Sequence, residues 1–450
     1  MKEKSKRGNF TSSFGFVLAA AGSAIGLGNL WKFPYIAGES GGGVFMVFYL
    51  VFILILGVPF ILSETAIGRK TQLSTIGAYR SINPKWTFAG IIGVVCAFFI
   101  LSYYSVVGGW ILKYITVFFT SGHTAAAAPG YFASFTANPV EPVVWHLVFM
   151  AFCTVVVLFG VEKGIEKGSK IMLPALFVLI VIVAIRSLTL GGNAIEGVKF
   201  LFIPDFSQLD SPAKVANVAV QAMGQVFFSL SIGMGISITY GSYLKKDSDL
   251  VKNSFVIGGL DTMVALLAGL AIMPAVFAFG FEPAAGPSLI FETLPAVFDS
   301  MPLGNIFAII FFILVFFAAA TSAIALLEVV SSFFIDSLGW KRSVATISTA
   351  SVMALIGVFA SLSFGLLKDA TLFGMNIFDF LGYLTDKILM PLGALAMCLF
   401  VGYSWKPKNA AAEIAIGRGG FRAIGLYSVL MRIVAPTLVI IIFIAGLISK

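Results

Sequence analysis

The sequence predicts an all-α polytopic membrane protein with 11 transmembrane helices, and three observations carry that prediction. Apolar residues make up 59% of its 450 residues and charged residues only 11%, whereas soluble domains carry about 45–50% and about 25%. The apolar residues run in blocks of about 20 or more, the length a helix needs to cross the hydrocarbon core while satisfying its own backbone hydrogen bonds. No strand-period alternation competes with those blocks, so a transmembrane β-barrel finds no support. A soluble enzyme, a disordered chain and a fibrous protein are all excluded by this composition. Three cysteines lie inside apolar runs and imply no disulfide framework. Two histidines are too few for a His-rich metal centre.

Taken in order, the expected spans cover residues 14–37, 43–68, 88–119, 143–161, 171–190, 214–243, 254–280, 304–338, 343–366, 376–403 and 425–449. The first is too long for a signal peptide, and Trp31-Lys32-Phe33-Pro34 follows its glycine-rich stretch in place of a cleavage site. Of 29 Lys and Arg, 20 fall before span 1 or in every second connection, whereas connections 120–142 and 281–303 hold none. The positive-inside rule then places the N-terminus in the cytoplasm and, with an odd number of spans, the C-terminus outside. That distribution accounts for the net charge of +8 without nucleic acid.

Two spans depart from the ordinary Leu/Ile/Val/Phe pattern. Span 1 contains Gly22-Ser23-Ala24-Ile25-Gly26-Leu27-Gly28-Asn29, and span 6 contains Ser229-Leu230-Ser231-Ile232-Gly233-Met234-Gly235. Paired glycines weaken a helix in mid-membrane. A lone pair would read as close helix packing. Two similar interruptions five spans apart suggest instead an inverted repeat of five plus five helices. Its parts would be 1–190 (spans 1–5), an extracellular connection 191–213, 214–404 (spans 6–10), and 405–450 with a cytoplasmic loop and span 11. Unwound backbone is tolerated in a membrane only where it is buried in protein or lines a cavity. Freed carbonyls there suit a small cation, and helix N-termini suit a carboxylate. A bound amino acid with coupled sodium meets both needs.

At these residues the sequence resembles the neurotransmitter:sodium symporter family, in particular its bacterial transporters of hydrophobic and aromatic amino acids. The motifs that carry the resemblance are Ala20 through Asn29 with Lys32-Phe33-Pro34, then Gly41-Gly42-Gly43, Glu64 with Gly68-Arg69, Gln225 through Ser231, and Ala318-Ala319-Ala320-Thr321-Ser322. It covers nearly the whole chain. It implies a multi-pass protein of the bacterial cytoplasmic membrane that imports an amino acid with Na+ by alternating access, using unwound helices 1 and 6. Two sodium sites are implied. The first takes Ala24, Asn29, Ser229 and Asp261, completed by the substrate carboxylate. The second takes the carbonyls of Gly22, Ile25 and Ala318 with the hydroxyls of Thr321 and Ser322, which without the resemblance would read as helix-packing groups.

For the substrate, the resemblance implies that Tyr104 and the amides of Leu27 and Gly28 meet the carboxylate. Carbonyls near Ala24, Phe228 and Ser231 would meet the amino group. The side chain would lie among Ser23, Ile100, Phe228, Ser231, Met234, Ser322 and Leu326. That set has no acidic side chain and is largely apolar, so a hydrophobic amino acid is expected. Met234 stands where some relatives carry phenylalanine, and its unbranched thioether repacks readily. Leucine, tyrosine or tryptophan is therefore favoured, with Met234 as plain core packing the competing reading.

Asp261 departs from the many relatives that carry Asn there together with chloride or a glutamate one turn on. The residue one turn on here is Ala265. A lone intramembrane carboxylate points to function, so Asp261 is expected to supply the negative charge beside the first sodium and to remove any need for chloride. The outer gate would pair Lys32 with Asp379, assisted by Gln225, in a looser contact than an arginine fork gives. The inner gate would pair Arg7 with Asp336, supported by Tyr243. Gly164 and Pro174, nine residues apart, would let the start of helix 5 unwind. A channel would need a selectivity filter or a ring of polar pore residues, and a membrane enzyme would need a nucleophile with its base. Neither pattern is evident.

Overall fold

The computed structural model describes residues 8–281 and 288–448, and these are predominantly helical, with one isolated bridge, Leu372 to Met375, inside a turn. Among the described residues, 9 helices are long and apolar enough to span a membrane, or up to 10 when one bent pair counts as a single span. That pair is α1 (Ser13–Ala24) and α2 (Gly28–Glu39), inclined by 49°. Then follow α3 (Gly43–Thr71), α4 (Pro84–Thr120), α5 (Glu141–Leu158) and α6 (Val161–Leu188). The sixth expected span is divided into α7 (Pro212–Ser229) and α8 (Ile236–Gly241). The remaining long helices are α9 (Leu250–Ala278), α10 (Gly304–Leu338), α11 (Arg342–Leu362), α12 (Ile377–Ser404) and α13 (Ile424–Ile448).

Burial separates inner helices from outer ones. The most apolar window is 72% buried in both α4 and α10, but only 28% in α13 and 33% in α5. The outer helices keep Ile, Val, Leu and Phe on their exposed faces, for example Val144, Val155, Ile433 and Ile444. That pattern is inverted from a soluble bundle and is what a hydrocarbon solvent selects. Helix α1 packs against α6, α9 and α10, α7 against α3, and α4 against α10, so both interrupted helices sit inside the bundle.

Prolines shape five helical segments in a shared way. A π-helical turn precedes Pro34 (Gly28–Lys32), Pro59 (Ile53–Gly57), Pro295 (Leu289–Thr293), Pro391 (Leu384–Leu389) and Pro436 (Leu430–Val434). Proline lacks the N–H and its ring crowds the carbonyl four residues back. Widening the turn that contains that carbonyl relieves the clash. Pro174 and Pro274 lie instead within regular α-helix.

The start of helix 5, where Gly164 and Pro174 are expected to permit unwinding, is wound in this structure. Residues 161–188 are helical throughout, beginning with a π turn at Val161–Glu166 that includes Gly164. The segment is wound here, and packing accounts for the glycine: a Cβ on Gly164 would fall 2.0 Å from the Val156 carbonyl oxygen. The span also begins about ten residues earlier than its hydropathy suggested. Lys163, Glu166, Lys167 and Lys170 end the apolar run, yet the helix continues through them.

Candidate functional site

Two breaks in helical backbone meet at the centre of the bundle. In the first, Ile25 turns extended at φ −72° and ψ 98°. In the second, residues 230–235 leave the helix, with φ of +53° at Ser231, +82° at Gly233 and +75° at Gly235. Left-handed backbone costs a side-chain-bearing residue about 1–2 kcal/mol, which explains the two glycines here. Side chains from neighbouring helices satisfy backbone groups that the breaks release, as burial requires. The Leu27 amide donates to the Tyr104 hydroxyl at 3.3 Å, and the Gly26 amide to Asn29 Oδ1 at 3.1 Å. The Ser23 carbonyl accepts from Ser322 Oγ at 3.0 Å and Ser231 Oγ at 3.4 Å. Gln225 Nε2 donates to the Gly28 carbonyl at 2.8 Å, and the Gly233 amide donates to Glu64 Oε1 at 3.0 Å.

Beside the first break lies a carboxylate with three donors. Asp261 is 0% exposed. It accepts from Asn29 Nδ2 at 2.9 Å, from Ser229 Oγ at 2.9 Å and from the Tyr49 hydroxyl at 3.0 Å. Three of the four groups expected at the first sodium site, Asn29, Ser229 and Asp261, are thus in mutual contact. Ala24 closes α1 one residue before the break. Among the described residues no cluster of three His, Cys, Asp or Glu exists that would hold a metal ion. One carboxylate among neutral oxygens suits a hard monovalent cation, not a transition metal.

Several residues of the second expected ion site also lie near one another. The Ala318 carbonyl accepts from Thr321 Oγ1 at 3.1 Å and from Ser322 Oγ at 3.3 Å. Gly22 faces this pair, since a Cβ there would lie 3.5 Å from the Thr321 side chain. Ile25 follows on the same broken segment. Gly26 is held tightly, because its Cβ would fall 2.6 Å from Ser322 Oγ and 3.3 Å from the Tyr104 hydroxyl. The Phe228 ring lies against Gly28. Ile100, Met234 and Leu326 are buried on α4, in the second break and on α10.

A cavity of about 770 Å³ reaches this region and is walled by Leu27, Lys32, Tyr104, Gln225, Phe228 and Asp386 among others. Along this cavity Lys32 has a different acidic partner from the one expected. Lys32 Nζ contacts Asp386 Oδ2 at 3.1 Å, not Asp379, and sits 4.0 Å above the Phe228 ring centroid. Asp379 is occupied in starting its own helix. The Asn376 side chain caps α12 by accepting the Asp379 amide at 2.8 Å and returns a hydrogen bond to Asp379 Oδ2 at 2.7 Å. The two aspartates are seven residues apart, two turns on nearly one helix face, so sequence spacing does not choose between them.

At the opposite end, Arg7 lies outside the described residues. Its expected partner Asp336 accepts from the Ser74 amide at 2.6 Å. Tyr243 donates to Glu328 Oε1 at 2.6 Å, and Arg342 grips that carboxylate with two nitrogens at 2.7 and 3.0 Å. Phe10 is buried edge-on against Phe16, Tyr240 and Tyr243. Sequence reasoning missed Tyr49, Asp386 and the Glu328–Arg342 pair. Tyr49 gave no signal inside an apolar run, whereas Glu328 in mid-span carried the same signal as Asp261.

The model of the sodium:neurotransmitter symporter family matches residues 7–127 and 136–450. The chain is 42% identical over 440 residues to the uncharacterized sodium-dependent transporter YhdH of Bacillus subtilis, covering 96% of each chain. It is 35% identical over 458 residues to an uncharacterized sodium-dependent transporter of Haemophilus influenzae, covering 98% of each. Among solved structures, it resembles MhsT in complex with L-phenylalanine, with a TM-score of 0.89 and 43% identity over 98% of this chain and 100% of that one. Paired broken helices, an oxygen-lined centre and these matches agree: the chain belongs to the sodium:neurotransmitter symporter family and is a sodium-dependent membrane transporter, not an enzyme.

Proposed function

We propose that this transporter carries a hydrophobic L-amino acid, large or aromatic, into the cell together with two sodium ions and without chloride. The observation that carries the reading is the fully buried Asp261 carboxylate in contact with Asn29 and Ser229 beside the broken helix. A buried charge is costly unless paired. A sodium ion held by Asp261, Asn29, Ser229 and the Ala24 carbonyl would pair it. The substrate carboxylate, placed near Tyr104 and the Leu27 and Gly28 amides, would share that ion and thereby couple the two solutes. Thr321, Ser322 and the carbonyls of Gly22, Ile25 and Ala318 would hold the second ion.

The substrate side chain would lie against Ile100, Phe228, Met234 and Leu326, with Ser23, Ser231 and Ser322 at its polar edge. The complex of MhsT with L-phenylalanine supports a substrate of this class. Lys32, Asp386, Gln225 and Phe228 would close the outer side, and Asp336, Tyr243, Glu328 and Arg342 the inner side. Opening of the inner side would draw on Gly164 and Pro174. The basic connections support a cytoplasmic N-terminus in a bacterial inner membrane.

The test is uptake of radiolabelled tryptophan, tyrosine and leucine into proteoliposomes under an inward sodium gradient, with gluconate replacing chloride and potassium replacing sodium as control. Concentrative uptake that needs sodium and ignores chloride is the expected result. Sodium-dependent uptake that also needs chloride overturns the role of Asp261. Absence of sodium-dependent uptake of any proteinogenic amino acid overturns the substrate class.

A further inference from the structure

Met234 lies between the two glycines of the second break, and those glycines are held in different ways. Gly233 is wedged by backbone. Its carbonyl oxygen would lie 2.7 Å from a Cβ on Gly393 of α12 and 3.3 Å from one on Gly93 of α4, and its own Cβ would fall 2.8 Å from the Met390 carbonyl oxygen. Its amide is fixed by Glu64. A shift of Gly233 would need the backbone of a packed helix to move, which a close-packed interior resists.

Gly235 is held by a side chain. Its carbonyl accepts the Thr239 amide of α8 at 2.9 Å, as the start of a helix requires, and takes a second hydrogen bond from Thr75 Oγ1 at 2.9 Å. Thr239 Oγ1 lies 3.1 Å from that hydroxyl. With Thr75 donating to the carbonyl, Thr239 donates to Thr75. Thr75 is buried and opens the short helix Thr75–Ile82 in the connection between α3 and α4. It is a firm post. The preceding Ser74 amide is bound to Asp336, and a Cβ on Gly90 of α4 would fall 2.6 Å from Ile76 Cα and 2.9 Å from the Thr75 carbonyl oxygen. At the other end of the loop, Ser231 Oγ reaches the Ser23 carbonyl of the first break.

We propose that Thr75 is a positioning residue for substrate selection: by holding Gly235 it limits how far the Met234 backbone yields to a substrate side chain, and so sets an upper size for that side chain. The proposal rests on the reading that the substrate side chain lies against Met234. With the Thr75 bond in place the loop is pinned at both glycines, and a bulky side chain meets a fixed wall. Without it Gly235 gains a freedom that Gly233 lacks, and the wall yields on one side.

The test is sodium-driven uptake of leucine and tryptophan, labelled with different isotopes and mixed in one proteoliposome assay. The ratio taken up reports selectivity and does not depend on how much folded protein each preparation holds; melting temperature in detergent is the folding control. Thr75→Val keeps the side-chain shape, loses the hydroxyl, and is expected to raise the tryptophan-to-leucine ratio about fivefold, the scale of one hydrogen bond. Thr75→Ser keeps the hydroxyl and should retain the wild-type ratio. Thr239→Val leaves the bond from Thr75 to Gly235 in place and should retain it too. A merely structural role would lower uptake of both amino acids together in Thr75→Val and leave the ratio where it is, which overturns the proposal. An equal shift in Thr75→Ser and Thr75→Val overturns it as well. Met234→Ala separates Thr75 from the reading beneath it: a ratio altered by Met234→Ala and not by Thr75→Val refutes the role of Thr75 alone, whereas a ratio altered by neither refutes the contact with Met234 and the proposal with it.

Discussion

Replacing Asp261 with Asn removes one negative charge from a position with 0% exposure and changes the shape of the side chain very little. Ser229 Oγ is 2.9 Å from both carboxylate oxygens, so an ion bridging these residues would lie within about 4 Å of the charge. At that distance, an effective dielectric near 20 gives an attraction of roughly 4 kcal/mol, or about a thousandfold in sodium affinity. Part of this is returned because the neutral amide need not be desolvated as a charge, so a loss of about a hundredfold or more is expected. The assay is sodium-dependent binding of a labelled hydrophobic amino acid to purified protein in gluconate medium. The same structure predicts a rescue. Asn29 Nδ2, Ser229 Oγ and the Tyr49 hydroxyl all donate toward this point, and without the carboxylate they would suit chloride. Adding chloride should recover part of the lost affinity in Asp261→Asn and leave wild type unchanged. Normal binding by Asp261→Asn in gluconate would refute the assignment of the charge.

Three other contacts can be tested in the same way. Asp386→Asn should speed substrate dissociation about fivefold, because a partly exposed pair is worth about 1 kcal/mol, whereas Asp379→Asn should leave dissociation unchanged; equal effects in a washout experiment would restore Asp379 to the gate. Gly235→Ala places a Cβ 2.6 Å from Thr75 Oγ1 at φ +75°, and strain of about 1–2 kcal/mol should lower the melting temperature and slow uptake. Arg69 and Glu413 are both buried and joined at 3.0 Å, so Arg69→Met should cost about 3–5 kcal/mol, while Arg69→Met with Glu413→Leu should recover much of it, as read by the yield and melting temperature of folded protein.

The loop between α12 and α13 shows a limit of reading charges in sequence. Arg418, Lys406 and Lys408 mark it as a basic connection, which gives an expectation about side and nothing more. That composition does not reveal that Glu413 turns inward to meet Arg69 from α3, or that Lys246 joins them at 3.3 Å. Arg69 is 177 positions from Lys246 and 344 from Glu413, and only packing brings them together. The lower end of the transporter has the same character: Tyr243, Glu328 and Arg342 form one cluster from three separate elements.

The class of molecule could be read from the chain without any coordinates. Apolar blocks of bilayer length, basic residues concentrated in alternate connections, and glycine pairs five spans apart are local properties, and a bilayer leaves a chain few ways to satisfy its backbone. The residues around the two breaks were also legible, since Asn29, Ser229, Thr321 and Ser322 fall in short motifs and Asp261 is a lone acid in an apolar run. Which partners those residues take was settled by packing. Asp386 faces Lys32 in place of Asp379 because an aspartate beside a capping asparagine is held by its own helix start, while the one two turns further along is free to reach the lysine. Packing also brought Tyr49 to Asp261 across an apolar helix face, and it wound the Gly164 segment into a helix through charges that interrupt the apolar run. Periodicity places a side chain on a face of its helix; what that face meets is set by how the helices pack.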